Sequence, residues 1–471
     1  MMTDNSTQAA KATADQVEVE LLAKREKIYP RAVTGAFARL RVLAVWTLLG
    51  LYYGVPWLNW DGQQAVLFDL PDRRFYLFGI TFWPQDFFYM ASLLIIAALA
   101  LFFFTALAGR LWCGYSCPQT VWTEVFLWIE RKIEGDRPRQ IRLDKAPWTA
   151  HKILLKGSKH LIWLLFSLFT GLTFVGYFSP IRELAVHVAT FSLGPWESFW
   201  ILFYGFATYG NAGWLREQVC LYMCPYARFQ SAMLDKDTLI ISYDAKRGEP
   251  RGPRRRGEDY KAKGLGDCIN CQMCVQVCPT GIDIRDGLQY ECIGCAACID
   301  ICDQVMEKMG YPKGLIRYTT ENALEGKPAH LLRPRVVIYG LLLLGLTGAL
   351  VYSIMTRIPL DVDVMRDRNA LYRETDEGMV ENIYTVKVMN KDSKAHRFHL
   401  AVSGLEGARL IAQTAEFRIA SGEAVDLPVR VEVDPAELRR TSSEVDFEVA
   451  AEDGPELRRV EKARFLGPVS R

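Results

Sequence analysis

Two uninterrupted apolar runs constrain this chain more than any other feature. LLIIAALALFFFTALA (93–108) and VVIYGLLLLGLTGALV (336–351) contain no charged residue. A hydrocarbon core about 30 Å thick needs about 20 helical residues, so each run reads as a membrane span. Half of the 471 residues are apolar, and they gather in a few long runs that a soluble chain rarely tolerates. Five segments qualify as spans: 42–58, 87–108, 161–178, 198–215 and 336–356. The fourth is interrupted by Asn211 and several glycines. Trp57, Trp60, Trp83, Trp112, Trp196 and Trp214 lie near span ends, as an interfacial aromatic belt would.

Basic residues orient the spans. Lys24, Arg25, Lys27, Arg31, Arg39 and Arg41 precede the first. Arg131, Lys132, Arg137, Arg139, Arg142, Lys145 and Lys152 lie between the second and third, and Arg254, Arg255 and Arg256 follow the fourth. The other connections hold only Arg73, Arg74 and Arg182. The positive-inside pattern places the N-terminus, the second connection and residues 216–331 in the cytoplasm, with the region after the fifth span exported. The polar N-terminus shows no cleavable signal before the first run, so that span is expected to insert the chain. The net charge of +2 argues neither for nucleic acid nor for an acidic partner, and the arginine run reads as an orientation signal beside anionic lipid.

All twelve cysteines lie between Cys113 and Cys302. Their tight clustering reads as metal ligation in a reducing compartment, not as a disulfide scaffold. Residues 268–279 read CINCQMCVQVCP, and residues 292–303 read CIGCAACIDICD, with Asp303 where the first run has proline. Two C-x2-C-x2-C-x3-C runs form the bacterial two-cluster pattern, in which the fourth cysteine of each run serves the other cluster. Cluster one takes Cys268, Cys271, Cys274 and Cys302; cluster two takes Cys292, Cys295, Cys298 and Cys278. Zinc knuckles use C-x2-C pairs, not triplets with a trailing C-x3-C. Two 4Fe-4S clusters are therefore the expected cofactors.

A second constellation lies at the cytoplasmic ends of spans two and four. Cys113 and Cys117 belong to CGYSCP, and Cys220 and Cys224 to CLYMCP. The repeat of C-x3-C-P makes the two span pairs look like an internal duplication. A proline suits the first position of a helix, so Cys117 and Cys224 would sit at helix N-termini, where the dipole favours thiolate. Four converging sulfurs, with Met223 as a further soft ligand, form a candidate copper or thiol redox site; thiolates favour Cu(I). The plainer reading is four packing cysteines at helix kinks. Asn211, Glu124, Glu130, His151 and His160 read first as packed or interfacial residues. No nucleotide-binding fingerprint or Ser/His/Asp pattern stands out.

From about residue 360 the pattern changes to short alternating segments such as YTVKVMN, RFHLAVSG and VDFEVAAED. About seven such segments suggest an immunoglobulin-like sandwich without its disulfide. His396 and His399 would fall on opposite strand faces, which argues against a shared metal. The expected organisation is a cytoplasmic segment (1–36), a four-span domain with both CxxxCP boxes (37–230), a cytoplasmic ferredoxin-like α+β domain (231–331), a fifth span (332–357) and a periplasmic all-β domain (358–471).

In its CGYSCPQT and CLYMCPYARFQ boxes, its 268–302 segment with CIGCAACID, and its fifth span with a β-rich tail, the chain resembles the CcoG (FixG/RdxA) family over nearly its whole length. Membrane proteins of periplasmic nitrate and nitrous oxide reductase systems share the boxes and the ferredoxin segment, but the fifth span and β-domain separate the groups. The resemblance implies a bacterial inner-membrane protein that assembles cbb-type cytochrome c oxidase as an oxidoreductase reducing Cu(II) to Cu(I). It carries cluster ligation to the eight cysteines named above. Expected partners are membrane lipid, copper ions, oxidase-assembly and copper-delivery proteins, an electron donor and a second copy of the chain. The alternatives are a quinol-linked relay to a respiratory enzyme and a non-catalytic scaffold with structural or redox-sensing clusters.

Overall fold

The computed structural model describes residues 27–468 apart from Asp61, Ser393, Gln413 and Pro455, with the backbone alone for Arg228 and Ser231. Most of the leading segment, including Lys24 and Arg25 of the charge argument, lies outside the described residues. Among the described residues four helices are long and apolar enough to cross a membrane: Ala36–Trp57, Pro84–Ala108, Ala150–Val175 and Pro334–Met355. The first and third begin earlier than hydropathy suggests, because FARLR and HKILLK are good helix formers despite their charge. The expected span at 198–215 does not meet the same test. It is a 14-residue helix, Pro195–Thr208, running into π-helical turns at Tyr209–Leu215. Gly213 lets that wide turn close on Trp163 and Phe126; a Cβ there would lie 3.2 Å from the Trp163 ring.

The chain divides into two compact units. The first gathers the described residues up to Trp46 with Phe104–Leu165 and Thr208–Leu331. Its ferredoxin segment is α+β: strands Ile240–Tyr243 and Ile316–Thr319 pair antiparallel, and helix Ala297–Met309 packs beside them. Their core is small, built from Ile241, Ile284, Ile299, Met306, Leu315 and Ile316 around Cys268 and Cys274. Asp300 joins this segment to the first long helix. Its carboxylate accepts from the Phe37 N–H (3.2 Å) and the Ala38 N–H (2.7 Å), satisfying donors that a helix start leaves open. Gly35 makes room for it, since a Cβ there would lie 2.3 Å from Asp300 Cγ. Asp303, in place of proline, accepts from the Gly314 N–H at 2.8 Å.

The second unit holds Thr47–Phe103, Phe166–Ala207 and the described residues from Leu332 on. Gly171 brings the helix Ala150–Val175 against Pro195–Thr208; a Cβ there would lie 2.4 Å from the Ile201 carbonyl. Small residues allow such close crossings, which replace the hydrophobic drive that lipid removes. A three-stranded antiparallel sheet (Val66–Asp69, Arg74–Leu77, Ile80–Phe82) follows the first long helix, and the sequence reading did not foresee it. Trp83 is buried there beneath the Arg74 guanidinium, so it packs within the fold and does not join an aromatic belt.

The C-terminal strands form two antiparallel sheets. One runs Arg409–Ala412, Ala424–Val433, Val380–Asn390, Leu360–Arg366, with Arg373–Glu374 alongside Val380–Asn390; the other runs Glu416–Ile419, His396–Ser403, Ser442–Ala451, Arg458–Leu466. Alternate residues of both sheets (Tyr384, Val386, Phe398, Phe447, Phe465) fill one core, as period-two alternation demands.

Candidate iron–sulfur and thiol sites

The two ferredoxin runs fold into the same loop. Asn270 and Gln272 in the first, and Gly294 and Ala296 at matching positions in the second, all adopt left-handed backbone. Each loop then opens a helix, at Met273 and at Ala297. A left-handed non-glycine residue costs on the order of 1 kcal/mol or more, so the repeated conformation marks a backbone held for a purpose. Turning the chain twice within five residues points three cysteine side chains inward. Nothing in the residue types at Gln272 or Ala296 signals it; only the repeat of the two runs could have.

Two small hollows result. One is lined by Cys268, Cys271, Cys274 and Cys302, with Tyr243, Met306 and Leu315 behind them. The other is lined by Cys278, Cys292, Cys295 and Cys298, with Cys274 at its edge. The structure thus brings together the two crossed sets of the sequence reading. All twelve cysteines lie among the described residues, and none is disulfide-bonded. No three His, Cys, Asp or Glu side chains among the described residues gather on a single ion. A cube of four irons asks for something else: one thiolate per iron, spread around its faces.

Burial pushes the Cys274, Cys295 and Cys302 thiols up to about 12 and Cys292 up to about 11. Buried thiolates need positive charge beside them, and a bound cluster would supply it while displacing the protons. The chain adds its own donors around the hollows. Arg41 donates to the Cys295 carbonyl, the Tyr318 hydroxyl donates to the Gly294 carbonyl at 2.7 Å, and Arg254 reaches the Gly266 and Cys268 carbonyls. The residues present fit two 4Fe-4S clusters.

The two CxxxCP boxes also share one backbone. Cys117 and Cys224 are both extended, with φ/ψ of −61/128° and −80/111°. Each donates its N–H five residues back, to Trp112 and to Val219, both at 2.8 Å. The following prolines open helices Pro118–Glu134 and Pro225–Met233. The N–H groups of Gln119 and Thr120, at the start of the following helix, favour the Cys117 thiolate, while the Thr120 hydroxyl donates to the Cys113 carbonyl at 2.6 Å. Burial outweighs these donors and pushes the Cys117 thiol up; it carries Cys113 and Cys220 to about 12. The first box presses directly on the second ferredoxin loop, where a Cβ on Gly114 would lie 2.6 Å from the Gly294 carbonyl oxygen.

The remaining candidates have structural partners. Glu130 is buried and bonds Arg216 (2.7 Å), Lys27 and Lys159 (3.4 Å each). Glu124 pairs with Arg131, and the Asn211 carbonyl accepts from Gln119. His160 bonds the Tyr209 hydroxyl and stacks on Trp214, while His151 is exposed. Met223 lies exposed beside Cys224. In the β-sandwich His396 points inward between Asp392 and Asp453 and His399 points outward, on opposite faces as the spacing requires.

Comparison with known proteins places this geometry. A family profile described as a 4Fe-4S dicluster domain matches residues 215–321, one described as a 4Fe-4S binding domain matches 90–135, and one described as an "IG-like fold at C-terminal of FixG" matches 350–468. RdxB and RdxA of Cereibacter sphaeroides are each 43% identical to the chain. The RdxB match covers 81% of this chain and 83% of that protein, and the RdxA match 83% and 85%. The chain belongs to the FixG/RdxA family. The nitrogen fixation protein FixG of Rhizobium meliloti is 38% identical, covering 94% of this chain and 93% of its own. A crystal structure of a FixG-related protein from Vibrio parahaemolyticus is 30% identical over 23% of this chain and 95% of that one, with a TM-score of 0.21. As a FixG/RdxA protein the chain is an iron–sulfur membrane protein with an immunoglobulin-like C-terminal domain.

Proposed function

We propose that this protein carries electrons in the assembly of a cbb-type cytochrome c oxidase, reducing Cu(II) to Cu(I) in the bacterial inner membrane. The observation that carries the electron-transfer reading is the pair of hollows lined by the crossed cysteine sets. When bound, 4Fe-4S clusters supply one-electron transfer, and each cupric ion takes one electron. The chain's own residues fix the setting. Arg41, Arg254 and Tyr318 hold the ligand loops by their carbonyls, and Gly114 lets the first CxxxCP box close on the loop carrying Cys292 and Cys295. The soft, exposed thioether of Met223 offers passing copper a contact beside Cys224. Copper chemistry and the oxidase come from the family resemblance, as do partners that handle copper and assemble the oxidase. The charge pattern supports a cytoplasmic ferredoxin segment and a periplasmic β-domain.

A quinol-linked relay is the second reading, and one observation favours it. A cavity of about 300 Å³ touches both Cys220 and Cys295, with Val42, Leu127 and Trp128 as apolar lining and Arg41 as a polar contact. Such a mixture suits a quinone head group.

The test is anaerobic. The purified full-length protein is reduced, freed of reductant and mixed with Cu(II) or with a quinone. The proposal expects reoxidation by Cu(II) with one Cu(I) trapped per electron lost. Reoxidation by quinone alone would transfer the assignment to the relay, and reaction with neither would leave a scaffold.

A further inference from the structure

We propose that the first ferredoxin loop is an electron entry port: its open tip, residues 270–272, and the basic segment bonded to it dock a small acidic one-electron carrier protein.

The two ferredoxin loops share one backbone but not one setting. The tip of the first is Asn270, Cys271 and Gln272, three consecutive exposed residues. The matching tip of the second is Gly294, Cys295 and Ala296, where Gly294 and Ala296 are buried. Residue types follow the difference: polar amides where the loop meets water, glycine and alanine where it meets protein. The backbone of Arg110 and Gly114 lies across the second tip, and Arg41 and Tyr318 donate to its carbonyls. Nothing comparable covers the first among the described residues. Cys271 is exposed, while the other seven ferredoxin cysteines are buried or half-buried.

The strand Ile240–Tyr243 shows which loop lies outermost. Just before it, the Leu239 N–H donates to the Leu107 carbonyl at 3.2 Å, at the end of the long helix Pro84–Ala108. Ile241 lines the hollow of Cys292, Cys295 and Cys298, whereas Tyr243 lines that of Cys268, Cys271 and Cys274. Two strand residues advance about 7 Å, so the hollow with the open tip is the one farther from that helix.

Charge gathers at this outer end. Residues 246–267 hold eight basic and four acidic side chains. The segment is bonded to the first loop: the Gly252 N–H and the Arg254 guanidinium reach the Cys268 carbonyl at 3.2 and 3.4 Å. Arg254 is held against the Tyr260 and Tyr311 rings. Its neighbours Arg255 and Arg256, with Lys261, are exposed, and their side chains make no hydrogen bond or ion pair among the described residues. Unpaired cations beside an open redox loop supply the steering that short-lived electron-transfer complexes use in place of a large interface. Complementarity then asks for an acidic carrier. In the transfer the reduced carrier loses one electron and the chain gains one, with no bond or proton exchanged.

This inference rests on the electron-transfer reading and supplies its donor. Binding is measured without copper, so the two can fail separately. Full-length protein in phosphatidylcholine nanodiscs is titrated calorimetrically with a purified acidic 2Fe-2S ferredoxin, both oxidised so that no turnover enters. The proposal expects an affinity that falls steadily as salt rises. Joint replacement Arg255→Glu, Arg256→Glu and Lys261→Glu should weaken binding about tenfold or more at low salt, while Arg255→Lys with Arg256→Lys retains it. Iron content should match wild type in both variants. No binding by wild type, binding indifferent to salt, or equal binding by the charge-reversed variant would each overturn the proposal. Phosphatidylglycerol carried through purification by wild type and shed by the reversed variant, with ferredoxin binding unchanged, would assign the patch to lipid and overturn it as well. The salt dependence of wild type decides the matter even if the reversed variant does not fold.

Discussion

Single carboxylates carry much of the first unit's architecture. Asp300, between Cys298 and Cys302, accepts from the N–H groups of Phe37 and Ala38. Asp300→Ala leaves buried donors unmet at a helix start and should cost about 1–3 kcal/mol, read by thermal unfolding. Glu130 is 1% exposed among Arg216, Lys27 and Lys159. Burial alone would raise its carboxyl, but those cations outweigh it and hold it down at about 2. A depressed carboxyl stabilises the fold above its unfolded value of 4.5, and that contribution is lost as pH falls toward about 2. Glu130→Gln leaves the cations buried without their counter-charge, costing about 3–5 kcal/mol near neutral pH. The variant should also flatten the acid limb of the stability profile; an unchanged acid limb would contradict the assignment. His396 has the opposite sign. Burial opposes its charge, yet Asp392 and Asp453 outweigh burial and raise it above the usual histidine value. Its contribution is complete below the unfolded value near 6.5 and is lost as pH rises through the folded one. An NMR titration of His396 with a midpoint below 6.5 would contradict that.

At the scale of elements, Gly114 packs backbone to backbone against the Gly294 loop. Gly114→Ala places a Cβ against backbone that cannot swing away, and overpacking of this kind costs about 1–3 kcal/mol. The change should lower iron occupancy at Cys292 and Cys295 first, seen as loss of one cluster signal before the other. The elements themselves were legible to different degrees. Cysteine spacing announced the ferredoxin loops, because ligation fixes both residue type and interval. Alternation announced the sandwich strands, since each buries one face in a shared core. The sheet between Val66 and Phe82 was not legible: its strands have three or four residues, too few for periodicity to rise above chance. The turns at Tyr209–Leu215 were missed because hydropathy registers apolar length, not hydrogen-bond pattern. Within the sites, the crossed cysteine sets could be read from spacing, whereas the left-handed Gln272 and Ala296 depend on tertiary contacts.

For the molecule as a whole, charge and cysteine distribution point the same way. The described residues of the first unit include every cysteine and most of the basic connections. The second unit contains none of the cysteines and carries the sandwich. The proposed topology predicts that alkaline phosphatase fused after residue 468 is active, while a fusion at residue 236 is inactive; the reverse pattern would overturn the orientation. The account stands most directly on low-temperature EPR of the anaerobically purified, dithionite-reduced full-length protein, with metal quantification on the same sample. It predicts iron with equal labile sulfide and the spin-coupled signals of neighbouring reduced 4Fe-4S clusters, diminished in Cys268→Ser and in Cys292→Ser. Zinc in place of iron, with no EPR signal on reduction, would contradict it.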